Sequence, residues 1–276
     1  MIQTWLPVYQ QMVESALGDF FNTRYSGTTR DIEQTYEEAL RYAVEGGGKR
    51  LRPILALLSY EHVSGGQSHT ILPNVIGIEF IHCFTLVHDD LPCMDNDDER
   101  RNKPTVHKAF GESIALLASY ALIAAGYGAI GAVTHESANQ GINSDIIALA
   151  LENAACNTGL KGATGGQFLD MYPPDLSEAS LRDIIHKKTV TLFEISFVFG
   201  WLFGGGSPQQ LPLVKQCSSH FGLAFQIADD LLDVEGDPAA MGKAARKDAN
   251  AGKATFVTLL GVDRAREQAQ RLAAQA

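Results

Sequence analysis

The stretch Leu192–Phe203, LFEISFVFGWLF, decides the fold class. Phe193, Ile195, Phe197, Phe199 and Trp201 alternate along it as the inward residues of a strand would. Val198, Gly200 and Leu202, on the opposite face, are also apolar or small. A helix buried on every side accounts for both faces, and the segment is read as helix. Its surroundings agree. DIEQTYEEALRYAVEGGG sets Ile32, Tyr36, Ala39, Ala43 and Val44 near one face and ends in glycine, a natural helix stop. Pro53 opens the next helix, which stops at Gly65–Gly66, and a long apolar helix runs from Ile71. Pro173–Pro174 breaks the chain, and Ser177–Glu178 starts a new helix. No stretch reads as a hairpin and no strand–helix alternation occurs. The expectation is all-α, a single bundle-like domain over residues 1–276.

The chain has 276 residues, 45% of them hydrophobic and 20% charged, an ordinary globular composition. Its formal net charge of −10 argues against non-specific nucleic-acid binding. That charge is concentrated. LVHDDLPCMDNDDERRNKPTVHK, Leu86–Lys108, carries Asp89, Asp90, Asp95, Asp97, Asp98 and Glu99, and then reverses sign at Arg100, Arg101 and Lys103. QIADDLLDVEGD, Gln226–Asp237, is a second acidic knot. Cys83, Cys93, Cys156 and Cys217 form no paired motif and read as free thiols of a reducing compartment. The start, MIQTWLPVYQQMVE, has no basic residue followed by an apolar run, so no signal peptide and a cytoplasmic location are expected. Ile114–Val133 is long and uncharged enough to cross a bilayer, but its Ala, Gly and Ser content and the lack of flanking cations favour a buried central helix and no membrane span.

In the second knot Gln226, Asp229, Asp230 and Asp233 are spaced i, i+3, i+4, i+7 and share one helical face. Carboxylates so grouped repel unless a cation sits among them, and oxygen donors suit a hard ion such as Mg²⁺. In the first knot the spacing from Asp89 to Asp95 is wrong for one face. Pro92 clashes with the carbonyl four residues back, at His88, so the helix should distort there and swing Asp95 back beside Asp89. An EF-hand is excluded, because Arg100 stands where that loop needs glycine. Cationic clusters complete the pattern: GGGKRLRP with Lys49, Arg50 and Arg52 at a helix start, RRNKP, HKKT at His186–Thr189, and MGK with Lys243. None is a Walker loop. Together they point to two phosphate-rich substrates, one held through metal and one by direct cation contacts.

These motifs in this order resemble the trans-isoprenyl diphosphate synthases, most closely the bacterial farnesyl diphosphate synthase type. The likeness runs from Tyr36 to Gly261 and includes GATGGQFLD and GKATFVTLLG. It implies mostly antiparallel helices around a deep cavity, a homodimer, and Mg²⁺, as three ions with Mn²⁺ as a substitute. It implies that an allylic diphosphate ionises and isopentenyl diphosphate attacks the carbocation, with the departing pyrophosphate as base. By position, Asp89, Asp95 and Asp229 would ligate the metal and Asp90 and Asp233 would support them, with Asp230 in the same catalytic set. Arg100, Lys188 and Lys243 would bind the allylic diphosphate. Lys49, Arg52, His82 and Arg101 would hold isopentenyl diphosphate, and Thr189 and Gln226 would present oxygen dipoles to the cation. Phe84 and Thr85, under the first motif, would set chain length, and the bulky Phe84 resembles farnesyl producers. Geranylgeranyl diphosphate is the alternative product.

Ser119–Tyr120 stands where the family has Gly-Asp, and Glu99 and Asn102 where Leu and Gly are common. The tyrosine is expected to narrow the cavity or alter dimer packing. The end, EQAQRLAAQA, reads as a helix cut mid-run. Two rivals are a class I terpene cyclase, which needs one diphosphate site, and a regulatory subunit, which would lack an Asp motif.

Overall fold

The computed structural model describes residues 2–24, 31–132, 142–235 and 255–276. Their regular secondary structure is helical apart from one short hairpin. Two compact units are present: Met1–Ala154 with Ser196–Pro208, and Ala155–Ile195 with Gln209–Ala276.

The first unit contains α1 (Ile2–Arg24), α2 (Asp31–Glu45), α3 (Leu51–Ser64), α4 (Leu72–Asp89), the strands β1 (Glu99–Arg100) and β2 (Lys103–Pro104), α5 (Val106–Phe110) and α6 (Glu112–Ile130). It also takes in part of α7 (Ser144–Thr158). α4 is apolar on all sides and lies in the middle of the core: Ile78, Phe80 and Ile81 are no more than 2% exposed. Phe80 packs against Phe20 and Phe21 of α1, with ring centroids 4.7 and 6.0 Å away. Asn74 in the first turn of α4 donates to the carbonyls of Ala129 and Ala132, at 2.9 and 2.8 Å, satisfying acceptors that the end of α6 leaves open.

LFEISFVFGWLF is helical throughout, within α10 (Thr191–Phe203). Its glycine has a packing reason: a Cβ on Gly200 would come within 2.2 Å of the Ala56 carbonyl oxygen of α3. The Ser59 hydroxyl donates to the Phe197 carbonyl at the same crossing, at 3.0 Å.

The second unit contains α8 (Ala163–Met171), α9 (Glu178–Ile185), a π-helical turn at His186–Val190, α11 (Leu211–Glu235), α12 (Phe256–Leu260) and α13 (Val262–Gln275). Ser177 caps α9 by accepting from the Ser180 N–H. Leu181, Ile185, Val190, Ile227, Leu231 and Phe256 belong to its core.

Three expectations change. The segment Glu99–Pro104 is a hairpin, with Arg101 and Asn102 at φ 54° and 60°. Two residues in the left-handed region define the primed turn that matches strand twist. The sequence trace was Asn102, a residue that tolerates positive φ. Second, α6 is not buried on all sides. Ala118, Ser119 and Leu122 face the interior, while Leu117 and Tyr120 are 55% and 58% exposed. Tyr120 therefore points out of this unit's core. Two helical stretches, Ser68–Asp89 and Glu112–Ile130, are long and apolar enough to cross a membrane by length and composition.

Third, Arg50 does not join the cations placed to meet phosphate. Its side chain is fully buried and pairs with Glu14 and Glu79, both at 2.6 Å, while it also donates to the Val44 carbonyl. Burial alone would weaken its proton affinity, but the two carboxylates more than compensate and raise its pKa. Arg50→Met would leave Glu79, 1% exposed, as a buried charge without its counter-ion. The expected cost is about 3–5 kcal/mol, read as a lower urea midpoint at unchanged slope. A loss below about 1 kcal/mol would rank the cluster with weak surface pairs.

Candidate functional site

Helix α4 ends at Asp89, and Pro92 stands just beyond it. The chain then folds back: the Asp95 N–H donates to the Asp89 carbonyl at 2.9 Å, and the N–H groups of Met94 and Asn96 both donate to the Leu91 carbonyl. Asp95 thus returns to Asp89 through the backbone. Asp90 plays a different part. It is 3% exposed, and Arg100 forks onto it with contacts of 2.9, 2.8 and 2.6 Å. Burial raises the Asp90 pKa, with Arg100 acting the other way. Burial disfavours the charge on Arg100 too, but Asp90 outweighs it and the net shift is upward. Asp98 pairs with Lys108 at 2.8 Å, and the Asp97 carbonyl accepts from Thr105. The later acids of the knot therefore close the loop that carries the hairpin.

The hairpin brings Arg101 to the glycine loop. Its guanidinium donates to the Gly47 carbonyl and lies where a Cβ on Gly48 would be, 2.7 Å from that position. Only glycine leaves this space, and Gly48 also sits at φ 138°. Arg52, from the first turn of α3, approaches His82 Nε2 at 3.4 Å. A guanidinium can only donate, so Nε2 accepts and the imidazole proton sits on Nδ1. That buried Nδ1–H has no partner among the described residues. Burial, then the charges of Arg52, Arg101, Arg100 and Arg50, hold the His82 pKa well below 6.5. Burial lowers Arg52 to about 10. Arg52 and His82 are thus half-buried neighbours, the charge of Arg101 reaches His82, and Lys49 is exposed.

His82 and Asp89 lie seven residues apart on α4. That spacing returns to nearly the same face after two turns, about 10 Å along the axis. Phe84 and Thr85 fall between them; Phe84 is 6% exposed with its ring 5.8 Å from that of His88, and Thr85 donates to the His82 carbonyl at 2.8 Å.

The second unit shows the same division of labour. Asp230, 5% exposed, accepts from Gln226 at 2.9 Å through one oxygen and from the Phe256 N–H at 3.0 Å through the other. Gln226 in turn accepts from Thr189 at 3.1 Å. Asp229 is exposed and Asp233 half-buried, and neither has a hydrogen bond or ion pair among the described residues. Lys188 pairs with Asp170 at 2.7 Å. The π turn presents both Lys188 and Thr189. Gly166 of α8 packs on it so closely that a Cβ would fall 2.3 Å from the Lys188 nitrogen. Sequence reasoning missed Asp170 and the π turn, which have no local signature, and Gln167, 6% exposed with neither amide atom paired among the described residues. Lys243 lies outside the described residues.

Carboxylate oxygens are the donors available in both knots, a set that suits a hard cation. Among the described residues no three metal-binding side chains converge. Mg²⁺ takes one or two carboxylates and completes its shell with water and phosphate, so the residues fit it.

The family model described as Polyprenyl synthetase matches residues 33–276. The chain belongs to that family of all-α prenyl synthases. It is 40% identical over 238 residues to the chloroplastic geranylgeranyl pyrophosphate synthase of Catharanthus roseus, covering 85% of this chain and 65% of that protein. It spans 62–65% of the length of the first curated relatives it matches. Among solved structures, an FPP/GFPP synthase from Zymomonas mobilis aligns with a TM-score of 0.82 at 34% identity, covering 98% of this chain and 90% of that one. A geranyltransferase from Helicobacter pylori, complexed with magnesium and isoprenyl diphosphate, aligns with a TM-score of 0.79 at 30% identity, covering 98% and 88%.

Since folded His82 binds its proton more weakly than the unfolded chain, the unfolded state gains the proton first as pH falls. Stability should therefore decline below about pH 6.5. His82→Asn should flatten the fall of Tm between about pH 7 and pH 5. Equal slopes for both proteins would rule out a buried neutral imidazole.

Proposed function

We propose that the chain is a prenyltransferase that extends an allylic diphosphate with isopentenyl diphosphate, with Mg²⁺ as cofactor and geranylgeranyl diphosphate as product. One observation carries the reaction type: His82 and Asp89 share a face of α4, so a direct-contact anion pocket stands about 10 Å from a carboxylate cluster. Arg52, Arg101 and the unpaired Nδ1–H of His82 would hold the diphosphate of isopentenyl diphosphate. Within the first unit Asp89 and Asp95 would offer carboxylates to Mg²⁺, and within the second Asp229 and Asp233 would do the same. A bound metal would neutralise charge on the departing allylic diphosphate. Phe84 is buried, 6% exposed, on the far side of α4 from His82 and Asp89, and would act as an apolar wall that helps keep water from the cation. A terpene cyclase would leave the second anion pocket without purpose.

The choice of the twenty-carbon product rests on the Catharanthus relative and reverses the expectation drawn from Phe84. Farnesyl diphosphate is the second reading, favoured by the bulk and burial of Phe84. The same proposal includes a cytoplasmic homodimer, supported by four free cysteines and by the exposed apolar side of α6 at Leu116, Leu117 and Tyr120.

Incubation with Mg²⁺, isopentenyl diphosphate and five-, ten- or fifteen-carbon primers tests this directly. Consumption of all three, ending at twenty carbons, is expected. Accumulation at fifteen carbons would establish the farnesyl reading, and turnover without isopentenyl diphosphate would establish a cyclase.

Two sets of variants add to it. Asp89→Asn and Asp229→Asn should each lower kcat on the order of 10²-fold or more; near-normal turnover would remove the metal assignment. Phe84→Ala should lengthen the final product, and an unchanged product would dismiss Phe84 as the floor.

A further inference from the structure

We propose that Tyr42 is a positioning residue for the isopentenyl diphosphate pocket, holding the hairpin so that Arg101 stays over the glycine loop. This rests on the function proposed above.

The hairpin has only two residues in each strand. Pairs of strands this short do not hold themselves together in water. Its turn residues, Arg101 and Asn102, are both in the left-handed region, which disfavours an arginine. External contacts must therefore fix it.

Arg100 has its own anchor, the three-contact fork on buried Asp90. Arg101 does not share that anchor, since neighbouring strand and turn residues diverge. Among the described residues its side chain donates to the Gly47 carbonyl, so its direction depends on where the second strand lies.

Tyr42 fixes that strand. Its hydroxyl donates to the Pro104 carbonyl at 2.7 Å. Its ring lies 6.0 Å beneath the Lys103 ammonium and meets Phe110 edge-on at 5.3 Å. Tyr42 sits in the last turn of α2, and the glycine loop that receives Arg101 begins directly after that helix. One helix end therefore carries both attachment points, Tyr42 for Pro104 and Gly47 for Arg101. The distance between them is set by a few residues of one chain segment, so the hairpin is clamped in register with its target.

The test is Tyr42→Phe, which removes the hydroxyl and keeps the ring. Calorimetric titration of metal-free protein with isopentenyl diphosphate should show binding roughly three- to tenfold weaker, the loss of one hydrogen bond. KM for isopentenyl diphosphate should rise by a similar factor. KM for the allylic primer, kcat and Tm should stay near wild type, because Asp90 holds Arg100 independently. The double variant Tyr42→Phe/Arg101→Gln should bind no more weakly than Arg101→Gln alone, since Tyr42 acts through Arg101. Wild-type affinity in Tyr42→Phe, or additive losses in the double variant, would overturn the positioning role. A uniform loss of Tm and of both KM values would also overturn it, in favour of a general packing role. If wild-type protein fails to bind isopentenyl diphosphate, the assignment of the pocket falls, and the proposal with it.

Discussion

The buried ion cluster of Arg50 with Glu14 and Glu79 is the constraint on which the first unit rests. It joins α1, α4 and the loop that follows α2, and a further bond to the Val44 carbonyl fixes the end of α2. Taking the Arg50 and Glu79 charges out of water is costly, and close pairing together with the half-exposed Glu14 offsets it. Arg50 achieves this from the left-handed region, at φ 50°. That backbone turn also sends the side chains of neighbouring residues elsewhere. Lys49 goes to the surface and Arg52 to the pocket beside His82. A single residue in the left-handed region thus separates a buried structural cation from the cations on either side of it within four positions.

The two acidic knots follow a common physical plan. In each, one carboxylate is buried and satisfied by the protein: Asp90 by Arg100, and Asp230 by Gln226 and the Phe256 N–H. Its neighbours, Asp89 with Asp95 and Asp229 with Asp233, are less buried or fully exposed. Burying every acid without a counter-ion would impose a prohibitive desolvation cost. Burying one and anchoring it fixes the helix end, and keeps the others nearer water at far smaller desolvation cost.

Much of this was legible in the sequence because periodicity is local. The spacing of Gln226, Asp229, Asp230 and Asp233 stated a helical face, and Pro92 stated a break. The helix through LFEISFVFGWLF was legible because both faces were apolar. What escaped depends on contacts between distant residues. Nothing near Arg50 says that Glu14 and Glu79 will meet it. The Lys188–Asp170 pair and the π turn arise from the approach of α8, allowed by Gly166. The hairpin escaped because its turn, Arg101–Asn102, lacks the glycine that usually marks a primed turn. Likewise, α6 is apolar all round in sequence, and only packing against α4 decides which side is covered.

Helix α4 carries His82, Phe84, Thr85 and Asp89 on one continuous ladder of backbone hydrogen bonds. The separation of its two charged ends is therefore a property of the main chain and not of any side chain. Insertion or deletion of one residue between them would rotate Asp89 by about 100° relative to His82 and dissolve the site. Substitution at Phe84 or Thr85 leaves that separation untouched. Point changes in the interval alter side chains alone, whereas a change of chain length there carries Asp89 off the face it shares with His82. The helix thus protects the spacing of its two charged ends against substitution but not against insertion.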